Sequence, residues 1–93
     1  MAIASGTVTS SNTAVATPAR VLGVQYRAGA TAGTVVLKDG GSSGTVKLTI
    51  YTPASAAHAG FVPVDRGGIV FATDVYAALT QADGCTVIYS TVP

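Results

Sequence analysis

One histidine, His58, and one cysteine, Cys85, occur in the chain, so a Cys–His pair is the single thiol dyad its residues allow. His58 lies in an Ala/Gly connection and Cys85 opens a strand-like run just after a turn. A surface histidine and a small, partly buried hydrophobe account for both. Paired-carboxylate chemistry would have to draw on four aspartates. Three of them, in Asp39-Gly40, Asp65-Arg66-Gly67 and Asp83-Gly84, precede glycine-bearing turns, where a side chain that bonds nearby backbone amides explains them. Asp74 stands apart, between two strand-like runs.

Phosphate and metal chemistry find equally little. The glycine-rich stretch Gly40-Gly41-Ser42-Ser43-Gly44-Thr45 has no lysine after its last glycine and opens no helix, so it reads as a hairpin loop and not as a phosphate cradle. A structural zinc site takes about four Cys/His ligands, and the chain has two such residues. No spacing matches a calcium-binding EF-hand loop. The expectation is a non-enzymatic protein with no catalytic residue, no metal and no cofactor.

The elements around these residues keep a period of two. In Val21-Leu22-Gly23-Val24-Gln25-Tyr26-Arg27, Leu22, Val24 and Tyr26 share one face, with Gln25 and Arg27 on the other. Thr34–Lys38 and Thr45–Tyr51 flank the Asp39–Gly44 turn as a hairpin. On the return strand Val46, Leu48 and Ile50 are expected inward, and Thr45, Lys47, Thr49 and Tyr51 outward. Pro63 suits Phe61-Val62-Pro63-Val64 to an edge strand. Ile69–Thr73, nearly continuous in apolar residues, reads as a central strand. Val75–Leu79 is open between strand and helical turn, the Ala54–Gly60 connection has room for one short helical turn, and Cys85–Ser90 is the last strand.

Short strands at intervals of about ten residues, with Gly/Asp turns and no long helical pattern, predict an all-β fold. The form expected is a small antiparallel β-sandwich or barrel of about six to eight short strands, over residues 20–93. Residues 1–19 are rich in Ala, Ser and Thr, carry no charge and read as an extended N-terminal arm or edge strand.

Composition bears on the mode of action. Ninety-three residues make one thin-cored domain. A single cysteine forbids an internal disulfide, so oligomerisation is the remaining route to added stability. Charged residues are 10% of the chain and glutamate is absent, against about 25% in average domains, which suits a surface covered by neighbours. A net charge of +1 from scattered basic residues argues against nucleic acid and anionic membranes as partners. No apolar run approaches the roughly 18 residues of a membrane span, residues 1–10 lack a signal-peptide pattern, and the lone cysteine fits a reducing cytosol. A soluble, cytosol-made product is expected. Its candidate interface residues are Val8, Val15, Tyr51 and Phe61.

From Val21-Leu22-Gly23-Val24, through Ala28-Gly29-Ala30-Thr31-Ala32-Gly33-Thr34-Val35-Val36-Leu37-Lys38-Asp39-Gly40, Gly44-Thr45-Val46 and Gly67-Gly68-Ile69-Val70-Phe71-Ala72-Thr73, to Cys85-Thr86-Val87-Ile88-Tyr89, the order of strands and turns resembles small virion structural proteins of tailed bacteriophages. The resemblance covers residues 20–90 and carries no catalytic residues. It implies a capsid decoration (cement) protein or a head- or tail-associated piece, made in the host cytoplasm and located in the virion. Its expected partners are further copies of itself, as a trimer, and the phage major capsid protein or other virion proteins. A glycan- or receptor-binding module of a head or tail fibre, using exposed tyrosines such as Tyr51 and the Asp39–Gly44 loop, is the other reading.

Overall fold

A computed structural model describes residues 3–55, 58–64 and 68–91. Among these, every regular element is a strand: β1 (Ile3–Val8), β2 (Asn12–Val15), β3 (Ala19–Ala28), β4 (Gly33–Asp39), β5 (Thr45–Thr52), β6 (Ala59–Pro63), β7 (Ile69–Phe71), β8 (Val75–Thr80) and β9 (Ala82–Thr91). All pairings are antiparallel. One sheet runs β1-β9-β3-β6, with β7 beside β6 along the same flank of β3, and the other runs β2-β8-β4-β5. The fold is a two-sheet antiparallel β-sandwich with nine described strands, one more than the upper expectation.

The inner faces of the two sheets meet in a core of small aliphatics. Val8, Val15, Val21, Val24, Val35, Leu37, Ile50, Val75 and Val87 are buried there, around Phe71. Phe71 is the bulkiest fully buried side chain, delivered by a strand of three residues. That strand is not the central strand its apolar run suggested. β7 flanks β3, and Val70, pointing the other way, is exposed. Val75–Thr80 is a strand, paired on both sides by β2 and β4.

The segment read as an arm or edge strand forms one edge strand in each sheet, β1 against β9 and β2 against β8. Ser11 fastens the corner between them: its Oγ accepts from the Leu79 amide at 2.9 Å and donates to the Leu79 carbonyl at 3.3 Å. Of the connection with room for a helical turn, Ala56 and Ala57 lie outside the described residues, as do Asp65, Arg66 and Gly67 of the next turn.

Four one-residue bulges depart from strict alternation. Ala14 on β2, Leu22 on β3, Lys47 on β5 and Asp83 on β9 each lack a register partner on the strand opposite the bulge. An extra residue moves the rest of its strand to the opposite face. At Leu22 the shift lets Val21 and Val24, three apart, both point inward, while Leu22, expected inward, is half-buried. At Lys47 it turns Val46 outward, 53% exposed, correcting the expectation that Val46 joins Leu48 and Ile50 inside.

Deleting the Phe71 ring leaves a cavity between layers of valine-sized side chains, which have little reach to refill it. Phe71→Ala is expected to cost about 3–5 kcal/mol. Against the roughly 5–15 kcal/mol of a whole small domain, this should bring the urea midpoint down sharply. A midpoint close to wild type would show that the ring is not central to the core.

Candidate interaction surface

Cys85 lies on the inner face of β9, opposite Tyr26 of β3 and Val8 of β1. It is buried, and loss of hydration pushes its thiol up to about 11. A nucleophilic thiol needs the reverse shift, toward thiolate at neutral pH. His58 is engaged elsewhere: its Nε2 sits 3.2 Å from the Tyr26 hydroxyl, with the two rings 5.8 Å apart. No hydrogen bond joins Cys85 to His58 among the described residues, so the one available dyad is not assembled.

The aspartates do structural work in a pattern local sequence does not give. Asp39, at the end of β4, accepts from the Ala72 and Thr73 amides of the β7–β8 turn, both at 2.9 Å. Asp74, in that turn, accepts through Oδ1 from the Gly40 and Gly41 amides of the β4–β5 turn, at 3.0 and 3.1 Å. Each carboxylate thus caps the other's turn. Gly40 and Gly41 have φ of 108° and 82°, the left-handed region that glycine enters without a Cβ penalty, and this presents both amides to Asp74. The position that sequence left without a role is half of this clamp, and Asp39 caps a turn 33 residues away as its main task. Among the described residues no three His, Cys, Asp or Glu side chains gather as a metal site. Nor, among the described residues, is any helix long and apolar enough to cross a membrane.

Among the described residues the exposed large hydrophobics are Ile3, Val46, Tyr51, Phe61 and Val70. Each lies on an edge strand: β1, β5, β5, β6 and β7. Of the expected interface residues, Tyr51 (79% exposed) and Phe61 (53% exposed) are on the surface. Val8 and Val15 are not. Both are buried in the core, because β1 and β2 turn those side chains between the sheets, and this corrects their assignment to an interface. Ile3, Val46 and Val70 were missed. The Lys47 bulge hid Val46, and Val70 was hidden by reading its strand as central.

Tyr51 and the Asp39–Gly44 loop do not form one site. The loop precedes Thr45 at one end of β5 and Tyr51 sits at the other, six residues along, or about 20 Å at the rise of an extended strand. Phe61 lies with its ring over Gly23, where a Cβ would collide with it, so glycine there makes the seat for the aromatic.

The edge strands differ in how they are guarded. β6 carries Pro63, β5 carries the bulged Lys47, β2 is four residues long with a bulge, and β7 has three residues. Proline, lysine, bulges and short length all discourage pairing with another chain. β1 has none of these. Its six residues, Ile3-Ala4-Ser5-Gly6-Thr7-Val8, are uncharged and in unbroken register with β9. Searches against protein-family models, curated proteins and solved structures return no match.

Two solution tests probe the buried thiol and the clamp. Raising a thiol from 9.0 to about 11 cuts its thiolate fraction at pH 8 roughly 100-fold. Alkylation of native Cys85 should therefore run at least that much slower than in the unfolded chain; equal rates would mean an accessible thiol. The Ala72 and Thr73 amides hold Asp39 below its usual 3.8. A carboxyl depressed by folding contributes stability that is present above pH 3.8 and lost as pH falls through the folded-state value. Asp39→Ala should lower the melting temperature at neutral pH and make its acid decline shallower than in wild type.

Proposed function

We propose that this chain is a non-enzymatic structural protein of a bacteriophage virion, a capsid decoration (cement) protein that assembles with copies of itself and binds the shell. The observation that carries the assembly part is the unguarded β1 edge. It exposes free backbone donors and acceptors on a strand with no charge to repel a second copy. Pairing β1 with another strand extends the sheet by main-chain hydrogen bonds, and Ile3 beside it adds apolar area. Many such weak contacts over a repeating shell add up to firm attachment.

The virion part rests on the likeness of residues 20–90 to small proteins of tailed phages, and the low charge of the surface agrees with it. Tyr51 and Phe61, on different sheets, supply contact points for shell proteins. The fibre-module reading, as built on Tyr51 and the Asp39–Gly44 loop, lacks support because these are at opposite ends of β5.

The test is a charge at the edge. Ser5 is exposed at the middle of β1, so Ser5→Lys leaves the core intact while guarding the strand. Wild-type protein should run as an oligomer, a trimer on this reading, by light scattering, and Ser5→Lys should shift it toward monomer at unchanged melting temperature. Occupancy on purified particles should fall in parallel. A wild-type monomer that binds no particle would overturn the proposal, and so would a variant that assembles and decorates as wild type does.

A further inference from the structure

The outer face of the β1-β9-β3-β6 sheet holds a concavity of about 550 Å³, within the roughly 300–1,000 Å³ typical of small-ligand sites. Gly84 is part of its lining. This residue sits opposite Arg27 in the β9–β3 register, and a Cβ added to it would meet nothing closer than the Val8 carbonyl oxygen at 3.5 Å. The missing side chain is therefore not demanded by packing; it leaves a dip in the sheet surface.

The polar groups of the dip come from three strands, beside lining from Tyr26, Ala59 and Cys85. Thr7, Thr86 and Gln25 are register partners in a row across β1, β9 and β3, with Arg27 and Asp83 beside them. Asp83 is the bulged residue beside Gly84, and its Oδ1 lies 3.3 Å from where a Cβ on Gly29 would be, at the same rim. Bulges often re-aim a side chain next to a site in this way. Thr7 and Thr86 hydroxyls bond each other at 2.9 Å. The side chains of Gln25, Arg27 and Asp83 make no hydrogen bond to another described residue, so their donors and acceptors are unspent.

We infer that this concavity binds a neutral, hydroxyl-rich small molecule, a sugar ring. The rim has one cation and one anion, whose opposed charges favour neither an anionic nor a cationic ligand. What remains is a set of amide, hydroxyl, guanidinium and carboxylate groups that match vicinal hydroxyls, each of which donates and accepts. Phe61 takes no part, since its ring leans onto Gly23, and hydrogen bonds alone in an open dip give weak binding. This site shares Thr7 with β1 but lies on the face of the sheet and not along the open edge of that strand, and it does not rest on the virion assignment.

The experiment is a titration of ¹⁵N-labelled protein with glucose, galactose and N-acetylglucosamine to ~50 mM, well above a dissociation constant of about 1 mM. At least one sugar should shift the amides of Thr7, Arg27, Gly84 and Thr86 and leave the Tyr51 amide in place. Gly84→Val fills the dip on an extended strand and should weaken binding at least tenfold with a well-dispersed spectrum. If that variant does not fold, Arg27→Ala and Asp83→Ala, on exposed side chains, take its place with the same expected loss. The inference is overturned if no sugar shifts these amides, if binding survives the substitutions, or if acetate or guanidinium binds there in preference to every sugar.

Discussion

A sandwich filled mostly with valine has little slack. Short, branched side chains meet across the mid-plane only where both sheets present an inward residue at the same level, and a strand displaced by one residue would turn its whole inward set to water. Phe71 sharpens the constraint, because one ring spans space that neighbouring valines cannot. The rest of the molecule is arranged to keep that inner layer in register. The strands lie where their valines can reach it, and the turns are held where those strands need them.

The reciprocal aspartate clamp is one consequence. The β4–β5 and β7–β8 turns each have two backbone amides that no ladder satisfies, and a carboxylate from the facing turn takes both. This fixes the end of β4 relative to the turn that leads from Phe71 in β7 to Val75 in β8. Main-chain amides, not lysine or arginine, are the principal partners of these two acids, so both carboxylates are held without a basic side chain bonded to them.

Much of the fold was legible in the sequence, for a physical reason. Alternation in Thr45–Tyr51, the Asp-Gly turn and Pro63 are local signals of strand, hairpin and edge, and local sterics decide all three. The bulges were not legible. Nothing in the residue types of Leu22 or Lys47 marks them as unpaired, because a bulge is set by where the neighbouring strand's partners fall. Val46 was misplaced for that reason, and Asp74 lacked a role because its partner amides lie over thirty residues away. Val8 and Val15 looked like interface residues because they are isolated in an Ala/Ser/Thr stretch; only the crossing of β1 and β2 into different sheets turns both toward one core.

The same bulges give the outer surfaces their character. A sheet that alternates without interruption presents a uniform outer face, whereas each inserted residue here changes the surface that solvent meets. Lys47 brings Val46 out and guards β5, and the bulged Asp83 is exposed beside Gly84. Core and surface are therefore not independent in so thin a domain: each residue inserted to keep valines inward also decides which side chain points out. β1 keeps its register without such an insertion, as β6 and β7 do, but it is longer than β7 and, unlike β6, carries no proline, and it has no charge. Because nothing in the core requires a break there, its open edge remains regular enough for a second strand to pair along it.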